Sequence, residues 1–236
     1  MEEKNFWFHS RNKIIQILVK KYFLNSIGNF LEIGCGTGYV LKGLEKFKNL
    51  KLYGAEIYLE GLKYAKLRLP NIEFIQLDAR KLPFENEYDC IGAFDVLEHI
   101  NEDELVIENV FKSLKPGGYF FITVPQYMFM WSAEDDKVKH KRRYKKKELI
   151  GKLKNARFYI NYYTSFVFML FPLMYFSRAF LKNKKKIIDE HNSELNLNPI
   201  INVVFSLIMK IDEFLIKLGF KLPWGGSLIV VGKKVK

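Results

Sequence analysis

Three observations predict an α/β fold built on a mostly parallel sheet. From residue 28 to 124, short apolar runs alternate with amphipathic stretches, the pattern of repeated βα units. One run, YDCIGAFD (88–95), is almost continuously apolar, as a central strand covered on both faces must be. The chain has 236 residues, 49% apolar and 27% charged, which suits one packed domain with a sizeable insertion and not a disordered polymer.

Each element follows from its local pattern. RNKIIQILVKKYFL (11–24) reads as an amphipathic helix ahead of the sheet. NFLEIG (29–34) and KLYGAEI (51–57) are the first two strands, with the helix YVLKGLEKF (39–47) between them. LEGLKYAKLRL (59–69) carries Leu62, Ala65 and Leu69 on one helical face and leads into a third strand, IEFIQLD (72–78). After the fourth strand, the helix DELVIENVFKSL (103–114) is stopped by KPGG and followed by a fifth strand, YFFITVP (119–125). A long connector then leads to a helix (145–156) and a sixth strand (157–166). A segment of aromatic and aliphatic helices (167–222) with a polar break at 182–198 precedes a last strand, GSLIVVGKKV (226–235). The expected organisation is therefore a single domain: a helical cap (1–27), a core (28–166), an apolar insertion (167–225) and the last strand (226–236).

The net charge of +12 is unevenly spread. Residues 1–132 hold 16 Lys/Arg against 17 Asp/Glu, whereas residues 133–236 hold 22 against 9. The densest cationic run is KHKRRYKKK (139–147). Such asymmetry speaks to partners more than to fold. Cys35 and Cys90 are too few for a disulfide framework and lie in apolar runs, so buried thiols in a reducing compartment are expected. The acidic start MEEKNFWFHS lacks the features of a signal peptide, and a cytoplasmic location is expected, with peripheral contact at the inner membrane face as its variant.

LEIGCGTGYV (31–40) puts Gly34, Gly36 and Gly38 between a strand and a helix, where glycine permits positive φ and close approach of a ligand to the backbone. A dinucleotide fingerprint needs glycine at position 39, where Tyr39 stands, so a nicotinamide-dependent oxidoreductase is the weaker alternative. The stretch resembles motif I of the class I S-adenosylmethionine-dependent methyltransferases, satisfied by Glu32, Gly34, Gly36 and Gly38. An acidic residue ahead of the glycines suits a ligand carrying a sulfonium and an ammonium, and does not suit phosphates. The resemblance implies a Rossmann-like seven-stranded sheet with an antiparallel last strand, helices on both faces and a helical insertion between the last two strands. It further implies S-adenosylmethionine as cofactor and S-adenosylhomocysteine as product. Glu56, 22 residues after Gly34, is then the ribose ligand, a match shared with nicotinamide enzymes. Asp78 and Ala79 hold the adenine, the Phe94 carbonyl faces the ammonium, and Cys35 and Ile57 line the same site. Asp95 is read either as part of that site or as a helix cap.

Two outer elements are similar to those of a bacterial and archaeal subset of the family. FWFHSRNKII (6–15) matches its aromatic-Arg-Asn entrance, with Arg11 placed for the methionine carboxylate. WSAEDDKVKHKRRY (131–144) matches its connector after the fifth strand, except that Lys139 stands where the subset carries glycine. His140, Arg143 and Tyr144 are the candidate catalytic residues, expected at the pocket mouth; His140 acts either as base or substrate contact, or pins the loop. His99 is read as a packed histidine in preference to a proton acceptor, and no metal is expected.

The 20 uncharged residues between Arg157 and Arg178 are long enough for a membrane span, but Asn161, Thr164, Ser165 and Pro172 argue against one continuous helix. They suit either a substrate lid or an interfacial surface, with Phe166, Phe168, Leu170, Phe171, Met174 and Phe176 towards lipid and KNKKK (182–186) near anionic headgroups. Both readings point to a small-molecule or lipid-like acceptor with a greasy part, and the second to an anionic membrane surface as partner. An RNA- or other nucleic-acid-directed methyltransferase using the basic half is the remaining alternative. No RRM, KH or zinc signature and no Asn/Asp-Pro-Pro-Tyr motif supports it, so nucleic acid is not an expected partner.

Overall fold

The computed structural model describes residues 2–23, 27–181 and 197–235. Among these, seven strands form one sheet: β1 (Gly28–Ile33), β2 (Leu50–Glu56), β3 (Glu73–Gln76), β4 (Tyr88–Phe94), β5 (Leu114–Pro125), β6 (Phe158–Phe166) and β7 (Ser227–Lys234). Their spatial order is β3-β2-β1-β4-β5-β7-β6. β1 to β5 pair in parallel, and β7 runs antiparallel to both its neighbours. The helices are α1 (Phe6–Phe23), α2 (Tyr39–Leu44), α3 (Leu59–Arg68), α4 (Asp103–Ser113), α5 (Ala133–Lys137), α6 (Lys146–Asn155), α7 (Phe171–Leu181) and α8 (Pro199–Lys217). α7 and α8 occupy the insertion between β6 and β7, so the expected Rossmann-like architecture is the one observed.

The period of two along the strands divides the core into two layers. Phe30, Cys90, Phe94, Phe121, Ile229 and Val231 point to the side covered by α1, α2, α3 and α8. Their strand neighbours Leu31, Ile91, Ala93, Phe120, Ile122, Leu228 and Val230 point to the side covered by α4 and α6. Central strands buried on both faces explain why the sequence there is apolar without alternation.

Two expectations are corrected. The first helix begins at Phe6 rather than Arg11, because the Asn5 side chain accepts from the Trp7 N–H at 2.9 Å and Asn202 of α8 accepts from the Phe6 N–H at 2.8 Å. No helix among the described residues is long and apolar enough to cross a membrane. Of the residues expected to face lipid, Phe166 and Leu170 are buried, since Phe166 ends β6 inside the sheet and Leu170 packs in the core layer beneath α8. Phe176 is exposed, and KNKKK with most of the polar break lies outside the described residues.

The exposed apolar surface is mainly on α8. Ile200, Val203, Val204, Leu207, Ile211, Phe214 and Leu218 recur at three- and four-residue steps and are all exposed. The other face of α8, with Met209, Asp212 and Ile216, is buried. Asp212 anchors the insertion: its carboxylate accepts the Phe168 N–H at 2.6 Å and the Met169 N–H at 3.3 Å. These bonds hold the turn at Val167, whose φ of 59° is costly for a β-branched residue. Burial raises the Asp212 pKa against the opposing pull of those N–H groups. Asp212→Ala should therefore cost about 2–3 kcal/mol, lowering Tm by roughly 4–12 °C, with Asp212→Asn milder because it keeps one acceptor. Thermal denaturation of the two variants checks the order.

Candidate functional site

The strand order places the carboxyl ends of β3, β2, β1 and β4 side by side, and the chain reverses direction across the sheet between β1 and β4. Ligands of open α/β sheets bind at such a switch point. The loop after β1 carries Gly34, Gly36 and Gly38 at φ of 65°, 51° and 75°. A Cβ on Gly34 would lie 2.6 Å from Val96 Cγ2, so glycine there lets the loops after β1 and β4 touch. A Cβ on Gly36 would meet nothing within 4 Å, which leaves an open cradle over that backbone. Cys35 is buried, its N–H donates to the Ala55 carbonyl at 3.0 Å, and burial raises its thiol pKa.

Glu56 ends β2 and ties the loop in place. Its carboxylate accepts the Gly36 N–H at 2.9 Å and the Tyr58 N–H at 3.0 Å, so each oxygen keeps a lone pair for a ligand. Ile57 beside it is exposed, and its carbonyl accepts from the Gln76 amide at 3.1 Å. Asp78 lies beyond the end of β3, where it caps the short 3-10 turn Ala79–Lys81 and pairs with Arg80 at 2.7 Å. Hydrogen bonds from Arg80 lower its pKa.

Glu32, one residue before the end of β1, is 2% exposed, and its Oε2 has no partner. Burial pushes its pKa up to about 8, against the opposing field of Arg11. Arg11 stacks on Trp7 at 4.8 Å, ion-pairs with Asp95 and leaves its buried Nε unpartnered. Asp95 is therefore an arginine partner and not a helix cap; the next turn is capped by Val96 without a side-chain bond. Asp95 sits at φ 57° directly after Phe94, the buried last residue of β4. An unpaired acid, an unpaired guanidinium nitrogen and an uncovered glycine backbone converge here, which is the donor set an amino-acid-bearing nucleoside needs.

The connector after β5 is placed differently from expectation. Tyr144 is fully buried, donating to Asp103 at 2.6 Å, with the Leu97 carbonyl at 3.2 Å. Arg143 is buried and makes a bidentate pair with Asp135, both contacts 2.8 Å. Neither side chain reaches a pocket mouth; both pin the connector to the sheet edge, where the Tyr144 N–H also bonds the Pro125 carbonyl at 2.9 Å. His140 is half-buried, with Nδ1 on Asp135 at 2.7 Å and Nε2 3.8 Å from Glu98. Burial opposes ionisation of Asp135, but hydrogen bonds from His140 and Arg143 hold it well below the usual carboxylate range. His99 is exposed, its ring 4.7 Å from that of His140.

Sequence reasoning passed over Asp135 and Glu98, which sit five residues before His140 and one before His99. It also missed Glu2, which accepts from Thr37 Oγ1 at 2.7 Å and from Arg68 at 3.1 Å across the glycine loop.

Comparison with known proteins gives a concordant picture. Residues 31–122 match a family model described as a methyltransferase domain. A probable S-adenosylmethionine-dependent methyltransferase of Mycolicibacterium smegmatis is 24% identical over 163 residues, 67% of this chain and 61% of that protein. The ubiquinone/menaquinone biosynthesis C-methyltransferase UbiE of Pseudomonas savastanoi is 34% identical over 104 residues, 39% of this chain and 40% of that one. The chain thus spans about 40–61% of the length of these curated relatives. Among solved structures, a chain from the complex of the Haloferax volcanii Trm112 methyltransferase activator with a putative methyltransferase superposes with a TM-score of 0.65. It is 16% identical and covers 95% of this chain and 90% of that one. The [4+2]-cyclase SpnF superposes with a TM-score of 0.63 at 19% identity, covering 94% and 81%. These structural likenesses speak to the fold alone.

Two expectations follow from the site. Lys139 has φ 60°, so the position where a related connector carries glycine is left-handed here. Lys139→Gly should raise stability by up to about 1 kcal/mol and Lys139→Val should lower it, read as paired shifts in Tm. For Glu32, a folded pKa of about 8 lies above the unfolded value, so the folded state holds the extra proton between them. Ligand-free stability therefore falls as pH rises towards 8. Glu32→Gln, neutral throughout, should match the wild-type Tm near pH 5 and exceed it by several degrees, on the order of 2–4 °C per kcal/mol, at pH 8.

Proposed function

This chain carries a class I S-adenosylmethionine-dependent methyltransferase domain, and on that premise we propose that it transfers a methyl group to a hydrophobic or amphipathic small-molecule or lipid-like acceptor. The observation that carries the cofactor half is the buried Glu32 carboxyl, whose Oε2 is unpartnered, together with an uncovered glycine backbone. In this reading Glu32 and the Phe94 carbonyl balance the ammonium, Arg11 takes the carboxylate, Glu56 the ribose hydroxyls and Asp78 the adenine edge. Bound there, S-adenosylmethionine supplies an electrophilic methyl on a sulfonium that is already a good leaving group. The protein's task is alignment of acceptor and methyl for in-line displacement, where positioning dominates the rate. Arg143 and Tyr144 act as positioning residues by fixing the connector, and His140 is its only member of the three with ring surface exposed.

The exposed apolar stripe of α8, together with the exposed Leu173 and Phe176 of α7, supports a greasy acceptor. Monomeric proteins rarely leave contiguous apolar patches of more than a few hundred Å² without use. Relatives named for ubiquinone and menaquinone biosynthesis support the same reading. The seven cations of KHKRRYKKK bear on the nucleic-acid alternative: Arg142 and Arg143 are held by Asp103 and Asp135, so two of them have internal partners.

Isothermal titration with S-adenosylhomocysteine should give saturable binding, and NAD(H) none; the reverse result would sink the reading. Ammonium binding favours the carboxylate form of Glu32, so affinity should rise with pH up to about 8, and Glu32→Gln should weaken it about tenfold or more. For the acceptor, Leu207→Glu with Phe214→Glu should abolish flotation with anionic vesicles and leave S-adenosylhomocysteine affinity unchanged. Vesicle binding that survives both changes counts against the lipid-like acceptor.

A further inference from the structure

Beside the proposed cofactor edge, Glu98, His99 and His140 each turn one ligand atom towards a common point, all within 4.8 Å of one another. Glu98 is fully buried on the turn after β4, and neither of its carboxylate oxygens has a hydrogen-bond partner. Buried polar atoms are nearly always satisfied, and a buried carboxylate with two orphan oxygens calls for a missing cation or proton. The nearby protein cations are already matched: Arg11 is paired with Asp95, and Arg143 with Asp135. That pairing leaves Glu98 facing two histidines and no balancing charge.

The histidine opposite is prepared for coordination. His140 Nδ1 lies 2.7 Å from Asp135 Oδ1, a carboxylate that can only accept, so the proton sits on Nδ1 and the Nε2 lone pair faces Glu98. Asp135 is itself fixed by Arg143 and by the Ser132 N–H at 2.8 Å. A carboxylate behind an imidazole that fixes its tautomer is the outer shell of most histidine metal sites. The backbone holds the two halves together, since the Lys141 N–H donates to the Glu98 carbonyl at 2.7 Å.

We propose that Glu98, His99 and His140 form a divalent transition-metal site, with Asp135 as the outer-shell partner of His140. Two imidazoles and one carboxylate suit Mn2+, Co2+ or Zn2+ better than Ca2+ or Mg2+, and three protein ligands leave coordination positions free. His99 is exposed, which gives an entry path from solvent. Within the methyl-transfer reading, on which this last step rests, an acceptor hydroxyl at a free position would release its proton to water. The resulting oxygen anion would then take the methyl, leaving the neutral thioether of S-adenosylhomocysteine.

The test is titration of the full, tag-free chain with Co2+, followed by visible d–d absorption, with competition by Zn2+. Wild type should bind one ion per chain, Glu98→Gln and His140→Ala should lose the spectrum, and Asp135→Asn should weaken binding roughly 10–100-fold. Glu98→Gln keeps the shape of a buried neutral group, so its folding is checked by its own Tm. No saturable Co2+ signal in wild type, or one unchanged in Glu98→Gln, overturns the site. A rise in Tm for Glu98→Gln with no ion effect on either protein also overturns it, because Glu98 is then a buried neutral carboxyl. S-adenosylhomocysteine binding is measured on the same samples: bound without Co2+, it sinks the ion site alone; Co2+ without it sinks the methyl-transfer reading alone.

Discussion

Negative charge held out of water at the carboxyl edge of the sheet is the constraint on which the site depends. Glu32, Glu56, Glu98 and Asp135 are all buried there or nearby, on β1, β2, the turn after β4 and the connector after β5. A buried carboxylate is tolerated only when protonated, paired or richly hydrogen-bonded. Three of the four meet that demand within the chain, each differently. Glu56 takes two backbone N–H groups, Asp135 takes an arginine and a histidine, and Glu32 keeps a proton to unusually high pH. Glu98 has no hydrogen-bond partner for either oxygen among the described residues, and burial raises its pKa.

The elements outside the sheet are arranged around the same edge. α1 brings Arg11 against Asp95, and α8 holds α1 through Asn202, whose amide also donates to the Lys4 carbonyl at 2.7 Å. The insertion is thus coupled to the cofactor side by hydrogen bonds to the segment that carries Arg11. The helix that bears the exposed apolar stripe and the helix that carries Arg11 share one interface.

The core strands were legible because burial on both faces leaves a continuously apolar composition, and because the strand-end acids stand one per crossover, whereas their spatial order comes from the structure. The glycine loop was legible for a similar reason: positive φ at Gly34, Gly36 and Gly38 is a backbone demand that only glycine meets cheaply. The start of α1 was set too late, although Asn5 offers a capping signal, because the aromatic run after it has no helical period of its own. The connector was the least legible part. Whether Arg143 points inward depends on Asp135, eight residues away across a short helix and a left-handed turn at Lys139. Spacing along the chain carries no information about such a reversal.

The fate of the basic run shows what that reversal accomplishes. Arg142 and Lys152 both meet Asp103, at 3.1 and 2.6 Å, and Tyr144 donates to the same carboxylate. Arg143 meets Asp135. The arginines of the run are thereby turned from a surface charge into fasteners between the connector, α4 and α6. Arginine serves better than lysine here because its planar fork engages both oxygens of a carboxylate at once, as Arg143 does. Lysines 139, 141, 145 and 147 remain exposed and carry the positive field outward. One cationic stretch therefore serves two ends: Arg143 fixes the carboxylate that orients His140 while Arg142 fastens the connector to α4, and the lysines face solvent.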